Sequence, residues 1–210
     1  MIIEHFSIGS KNYPNEDRLI VRNIGSYGIA AILADGMGGL SLGDMAADLV
    51  TKSVEKYLNE IHESCSIKRI LHKSLEYADQ EVRRVSIEKK SKMGAAVAVA
   101  IIIDHQLHCS WQGNVRIYVK HQGITTLLTS DHIANIGYQR TALTRCIKGA
   151  GLRDDIPYSY LELAEDDSVF ICTDGLYKVA EDMLGKVPLD EIRSFIGTTE
   201  DDASIIQITI

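Results

Sequence analysis

The 210 residues predict an α+β fold, a four-layer αββα sandwich of two antiparallel sheets flanked by helices, and three observations carry that prediction. Strand-like and helix-like segments come in blocks instead of alternating one for one, which favours antiparallel sheets covered by helices over a parallel βαβ sheet. Residues 29–34 and 95–103 are continuously apolar, the pattern of strands buried on both faces. With 45% of residues hydrophobic and 24% charged in mixed sign, the chain can bury a sizeable core and lacks the composition of a disordered one. No Pro/Gly/Ser linker or internal repeat divides it, so residues 1–210 are expected to form one domain.

Taken in order, residues 2–7 read as a first strand, and 18–24 and 29–34 as a hairpin turned by Gly25-Ser26-Tyr27-Gly28. Helices follow at 43–61 and 66–89, each with apolar residues at helical spacing, such as Ala46, Val50 and Val54, then Leu71, Leu75 and Val82. Strands return at 95–103, 106–112, 116–120 and 124–128, the last pair around His121-Gln122-Gly123. Residues 131–146 read as short helical pieces. Strands at 159–163 and 168–173, helices near 175–183 and 189–196, and a strand at 203–210 complete the expected order.

Composition excludes several classes. A formal net charge of −7 makes a poor general binder of nucleic acid, whose phosphates need clustered Lys and Arg. Nothing at the N-terminus has the form of a signal peptide, and no apolar run reaches the length of a membrane span. Cys65, Cys109, Cys146 and Cys172 show no CxxC spacing and are expected to be reduced thiols, with Cys109 and Cys172 packing in the core, in a cytoplasmic protein. Trp111 is expected inside the sandwich. His105, His108 and His121 are expected on solvated surface, and His62 and His72 at the surface or boundary of helices. His132 is expected to fix a turn. The pairs Arg83-Arg84 and Lys89-Lys90 read as a solvated helix face, with a docking patch for acidic partners as the lesser reading.

The chemistry concentrates in acidic clusters at strand ends: Asn15-Glu16-Asp17, Asp35-Gly36-Met37-Gly38-Gly39, Asp174-Gly175 and Asp201-Asp202. A single Asp-Gly after a strand is normally only a turn. Asp35 and Asp174 each follow a long apolar strand, where an unpaired carboxylate costs several kcal/mol, on the order of the penalty for any buried ion. The sequence puts no basic residue directly beside either one. Convergent carboxylates of this kind call for divalent cations, and an oxygen-only donor set selects Mg²⁺ or Mn²⁺ over zinc. The glycines also allow a backbone carbonyl to approach an ion closely.

These motifs, in this order, resemble the metal-dependent Ser/Thr protein phosphatases of the protein phosphatase 2C type. Leu128-Thr129-Ser130-Asp131-His132, Phe170-Ile171-Cys172-Thr173-Asp174-Gly175-Leu176 and Asp201-Asp202-Ala203-Ser204 extend the resemblance over nearly the whole chain. It implies two Mn²⁺ or Mg²⁺ ions, with Asp35 bridging both. Glu16 and the Gly36 carbonyl would hold one ion, Asp174 and Asp201 the other, and Asp17 would order water around them. It implies hydrolysis of phosphoserine and phosphothreonine on proteins by a metal-bridging hydroxide, without a phosphoenzyme. The alternatives are a catalytically silent phosphatase-like binding module and a hydrolase of small phosphate esters. Implied partners are phosphorylated targets of a Ser/Thr kinase, met by a monomer with neither nucleic acid nor membrane.

Five departures from the family pattern stand out. Asn12 stands where the family usually has a phosphate-binding Arg, leaving Lys11 as the candidate cation, without the planar two-pronged contact of Arg. Asn114, in Gly113-Asn114-Val115-Arg116, stands where many members have the Asp associated with a third ion, so a third site is expected to be weak or absent. Met37 cannot donate a proton to the leaving group, as a His could. Asp202 adds charge where Asn is common, and Ala95-Ala96 replace a hydroxyl-bearing segment. The short stretch 131–149 points to a compact bacterial-type member, and no regulatory tail is expected after the last strand.

Overall fold

In the computed structural model, residues 1–37, 42–60, 65–137, 140–153, 155–197 and 199–210 are described; Gly38, Gly39 and His62 lie outside them. Within these residues the chain runs β1 (Ile2–Ile8), β2 (Asp17–Asn23), β3 (Ile29–Gly36), α1 (Gly43–Asn59), α2 (Ile67–Lys89), β4 (Ala95–Ile103) and β5 (Gln106–Gln112). It continues through β6 (Arg116–His121), β7 (Ile124–Leu127), β8 (Ile133–Gly137), β9 (Arg140–Leu143), β10 (Tyr158–Glu162) and β11 (Ser168–Cys172). Last come α3 (Asp174–Ala180), α4 (Leu189–Ile196) and β12 (Ala203–Thr209).

The strands form two five-stranded antiparallel sheets, ordered β1-β12-β11-β6-β7 and β10-β5-β4-β3-β2. The apolar runs explain why they stack. Along β3, Ala30, Ile32 and Ala34 face α1 and α2, while Ala31 and Leu33 face the other sheet. β4 divides the same way, Val97, Val99 and Ile101 toward the helices and Ala96, Ala98 and Ala100 toward the inter-sheet core. Both faces are covered, so neither strand needs polar residues. On the second sheet, Val169 and Ile171 enter the inter-sheet core, whereas Phe170 and Cys172 pack under α3 and α4. Each fully buried aliphatic side chain contributes roughly 1.5–3 kcal/mol to holding these layers together. Helix, sheet, sheet and helix form four layers, as the sequence predicts.

The helices obey the predicted periodicity. α2 is capped by Ser66, whose hydroxyl accepts from the Arg69 amide at 3.4 Å. Trp111 and Cys109 lie in the inter-sheet core, and all four cysteines are free thiols. No helix of the described residues is long and apolar enough to cross a membrane.

One element contradicts the sequence reading. Residues expected as short helices contain the antiparallel pair β8 and β9, with a register shift between Asn135 and Gly137. The described residues of β8 are all exposed, so the segment lacks the alternation that marks a half-buried strand. Its pairing is local and is closed at its base by the Thr144 amide donating to the His132 carbonyl at 2.8 Å.

Candidate functional site

The acidic motifs converge because both sheets end there. β2 and β3 pair so that Asp17 stands opposite Asp35. β11 and β12 pair so that Cys172 stands opposite Ile205, bringing Asp174 and the turn at Asp201-Asp202 to the same end. The Thr173 hydroxyl donates to Asp17 Oδ2 at 2.9 Å and so ties the two sheets together at the site. A cavity of about 410 Å³ opens here, lined by Glu16, Asp35, Gly36, Met37, Asn114, Asp174, Asp201 and Asp202. Ile133 and Leu143 of the β8–β9 hairpin form part of its wall.

Glycines make the convergence possible. A Cβ on Gly36 would meet the Gly43 carbonyl oxygen at 2.4 Å, and one on Gly43 would meet the Glu16 carboxylate at 2.5 Å. Both positions must stay bare for Glu16 to stand where it does. Gly175 serves α3 likewise, since a Cβ there would come within 2.2 Å of the Asp202 carbonyl oxygen. Asp202 clamps the β1–β2 connection: its two carboxylate oxygens accept from the Ser10 amide at 2.7 Å and the Glu16 amide at 2.6 Å.

Electrostatically the site is overloaded with negative charge. Burial pushes Asp17 up to about 7; hydrogen bonds from Ser204 and Thr173 oppose the rise, and Asp202 and Asp174 add to it. Burial, then the charges of Asp17, Asp174, Asp201 and Asp202, hold Asp35 well above the usual carboxylate range. Glu16 is raised by burial and then by Asp202 and Asp44, and Asp201 by burial and then by Asp174. Asp17 Oδ1 is buried with no hydrogen-bond partner.

An oxygen-only donor set, carboxylates that resist carrying their charges together, and an orphaned carboxylate oxygen fit hard divalent cations. Among the described residues the acidic side chains ring the cavity without closing into a ready-made three-ligand cage. Two donors hold Asp174 Oδ2 instead: the Lys178 ammonium at 2.7 Å, which neutralises it, and the uncharged Asn114 amide at 3.2 Å.

The structure thus brings together Glu16, Asp17, Asp35, Gly36, Asp174 and Asp201. Lys11 is exposed, one residue beyond the clamped Ser10, and is not part of the cavity lining. Asn114 faces Asp174. His132 Nδ1 accepts from the Gly113 amide at 3.1 Å and so fixes the turn that carries Asn114. Two expectations fail. Lys178 does stand beside Asp174, a pairing four residues apart on one helix and readable once Asp174 is taken as a helix start. Burial pulls Lys178 down, but the bond to Asp174 together with the charges of Asp174, Asp201 and Asp35 outweighs it and leaves the ammonium above its ordinary range. His108 is buried and bonded through Nδ1 to Tyr158 Oη at 2.8 Å, because β10 covers the edge of β5. The clamp by Asp202 and the clearance at Gly43 had no sequence signal, since both depend on contacts between distant segments.

The chain is similar to known proteins. A family model described as protein phosphatase 2C matches residues 7–202. A putative protein phosphatase 2C-type protein of Streptococcus pyogenes serotype M6 is 30% identical over 129 residues, 60% of this chain and 52% of its own length. A probable protein phosphatase 2C 14 of Arabidopsis thaliana is 31% identical over 98 residues, 47% of this chain. The chain spans about half the length of the first relative and 21% of the second. The S. agalactiae serine/threonine phosphatase structure superposes with a TM-score of 0.84 at 21% identity, covering 100% of this chain and 99% of that one. The Mycobacterium tuberculosis serine/threonine phosphatase PstP/Ppp does so at 0.82 and 18%, covering 100% and 99%. The structural likenesses establish the fold. Since the family model spans residues 7–202, nearly the whole chain and every acidic motif up to Asp202, this chain belongs to the protein phosphatase 2C family.

Proposed function

We propose that the chain hydrolyses phosphoserine and phosphothreonine on proteins with two Mn²⁺ or Mg²⁺ ions, acting as a single-domain monomer in the cytoplasm on targets of a Ser/Thr kinase. The observation that carries this reading is the convergence of Glu16, Asp35, Asp174 and Asp201 on one cavity, with buried Asp17 behind them. Glu16 and the Gly36 carbonyl would hold one ion, Asp174 and Asp201 the other, and Asp35 both. Divalent ions bound there supply an activated water and offset charge on the phosphoryl oxygens. The residues do the rest. Asp202 fixes Glu16 through its amide, Thr173 orients Asp17, and Lys178 and Asn114 hold Asp174. Met37 lines the cavity without a transferable proton, so protonation of the leaving oxygen falls to water. Lys11 is the candidate cation for the substrate phosphate. The thiols of Cys109 and Cys172 are pushed up by burial, Cys109 to about 12, and lie in packed cores, which disfavours a cysteine nucleophile. Retention of all the proposed carboxylates disfavours a silent binding module.

The test is turnover of an aryl phosphate and a phosphothreonine peptide in Mn²⁺, before and after chelation. We expect activity to vanish on chelation and return with Mn²⁺ or Mg²⁺. Full activity in excess chelator would sink the reading.

A further inference from the structure

A second cleft, of about 700 Å³, shares Met37 with the carboxylate cavity and runs along the C-terminal end of α2. Its chemistry is opposite. Arg83, Lys90, Lys92 and Lys148 line it around the apolar Ile87 and Met93, and among the described residues no acidic side chain lines it. In a chain of net charge −7, four cations with no carboxylate among the described lining residues are a local reversal of sign. None of the four takes part in an ion pair among the described residues.

The cleft is held in shape from beneath. Buried Asp79, midway along α2, accepts the backbone amides of Lys148 at 3.1 Å, Gly149 at 2.7 Å and Gly151 at 2.8 Å. Gly149 has φ +74°, and a Cβ there would stand 2.6 Å from Arg83 Cα. The loop bearing Lys148 is therefore seated against the helix bearing Arg83. On the other side, the Met37 amide donates to the Gly94 carbonyl at 2.9 Å, which joins the cleft to the segment that carries Asp35.

We propose that this cleft docks an acidic stretch of the phosphoprotein substrate, so that the phosphoester next to it enters the carboxylate cavity across Met37. The proposal rests on the phosphatase reading above. Charge complementarity selects the occupant: an anionic substrate approaches a ring of carboxylates unfavourably, and four cations at the adjoining rim offset that repulsion and steer the encounter. Exposed Ile87, with 69% of its surface open, gives apolar residues between the acidic ones a place to rest.

The experiment compares an aryl phosphate with three phosphothreonine peptides in Mn²⁺: neutral flanks, acidic residues before the phosphothreonine, and acidic residues after it. We expect one acidic peptide to exceed the neutral one roughly tenfold in kcat/KM, with the preference fading as salt is raised. The double variant Lys92→Glu, Lys148→Glu should erase the preference, read as the ratio of peptide to aryl-phosphate kcat/KM so that any general loss cancels. Equal rates for acidic and neutral peptides in the wild type, or a ratio unmoved in the double variant, would overturn the docking proposal while leaving the phosphatase reading in place. Absence of turnover on every substrate would overturn both. Should the wild-type protein instead self-associate in sedimentation or pellet with phosphatidylserine vesicles, and the double variant lose that behaviour, the cleft would belong to a second copy or to a lipid surface, and the proposal would fall.

Discussion

Asp17 and Asp35 face each other across β2 and β3, an arrangement that two like charges resist. Each therefore depends on a proton or a cation, and Asp35 depends on it more because it fronts the cavity with Asp174 and Asp201. We predict that Asp35→Asn and Asp174→Asn each reduce turnover by more than the ~10–100-fold loss common when a group behind the metal ligands is changed. Glu16→Gln should cost less, since it touches one ion. Steady-state kinetics in saturating Mn²⁺ decides the point, and wild-type rates in the Asp35 variant would refute the assignment. Asn114 offers the converse change. Its amide already lies 3.2 Å from Asp174, so Asn114→Asp puts another anionic oxygen beside a proposed ligand. Titration calorimetry should then show an additional weak Mn²⁺ binding event, because a hard cation responds to ligand charge. Equal stoichiometry in both proteins would leave Asn114 as a turn residue.

At the scale of elements, α2 supports function from its buried side. The Asp79 carboxylate satisfies three amides of the 148–151 loop, and no other described side chain does so. Removing it leaves those donors short of an acceptor in a half-buried setting. We predict that Asp79→Ala destabilises the protein by roughly 3 kcal/mol, the scale of losing several hydrogen bonds to a charged group. Chemical denaturation measures this, and a change below about 1 kcal/mol would show the loop held by packing alone. Both long helices and most strands were legible beforehand because their burial is periodic. The β8–β9 hairpin was not, because its residues are exposed and its stability comes from local pairing. Asp174 as the first residue of α3 was also missed, and with it the pairing to Lys178.

For the whole molecule, the site is an electrostatic fault line where the two sheets meet. A carboxylate whose folded pKa is raised above its unfolded value stabilises the fold while protonated, and that contribution is lost as pH rises through the folded value. For Asp17 the window runs from the ordinary carboxylate range to about 7, and for Asp35 it extends upward. His72, His108 and His132, all lowered mainly by burial, act oppositely at acid pH, so the carboxylate effect is clearest above the histidine range. We predict that metal-free protein loses melting temperature between about pH 6.5 and 8, that Asp17→Asn reduces the slope, and that Mn²⁺ removes it while raising Tm. A metal-free Tm that is flat or rising over that range would contradict the raised carboxylates.

What the sequence by itself determined was the four-layer architecture and the identity of the acidic residues. Apolar periodicity reports burial directly, and an Asp at the end of a buried strand must answer for its charge. The sequence was also enough to mark Lys11, Asn114 and Met37 as departures. Only the tertiary structure decided how those carboxylates are held: Asp202 across the chain to Ser10 and Glu16, Thr173 to Asp17 between the sheets, and Gly43 clearing space for Glu16. It alone showed that Arg83, Lys90, Lys92 and Lys148, scattered over 66 positions from 83 to 148, share one cleft beside the site. Contacts between residues so far apart depend on sheet pairing and loop closure, and one-dimensional spacing carries no record of either.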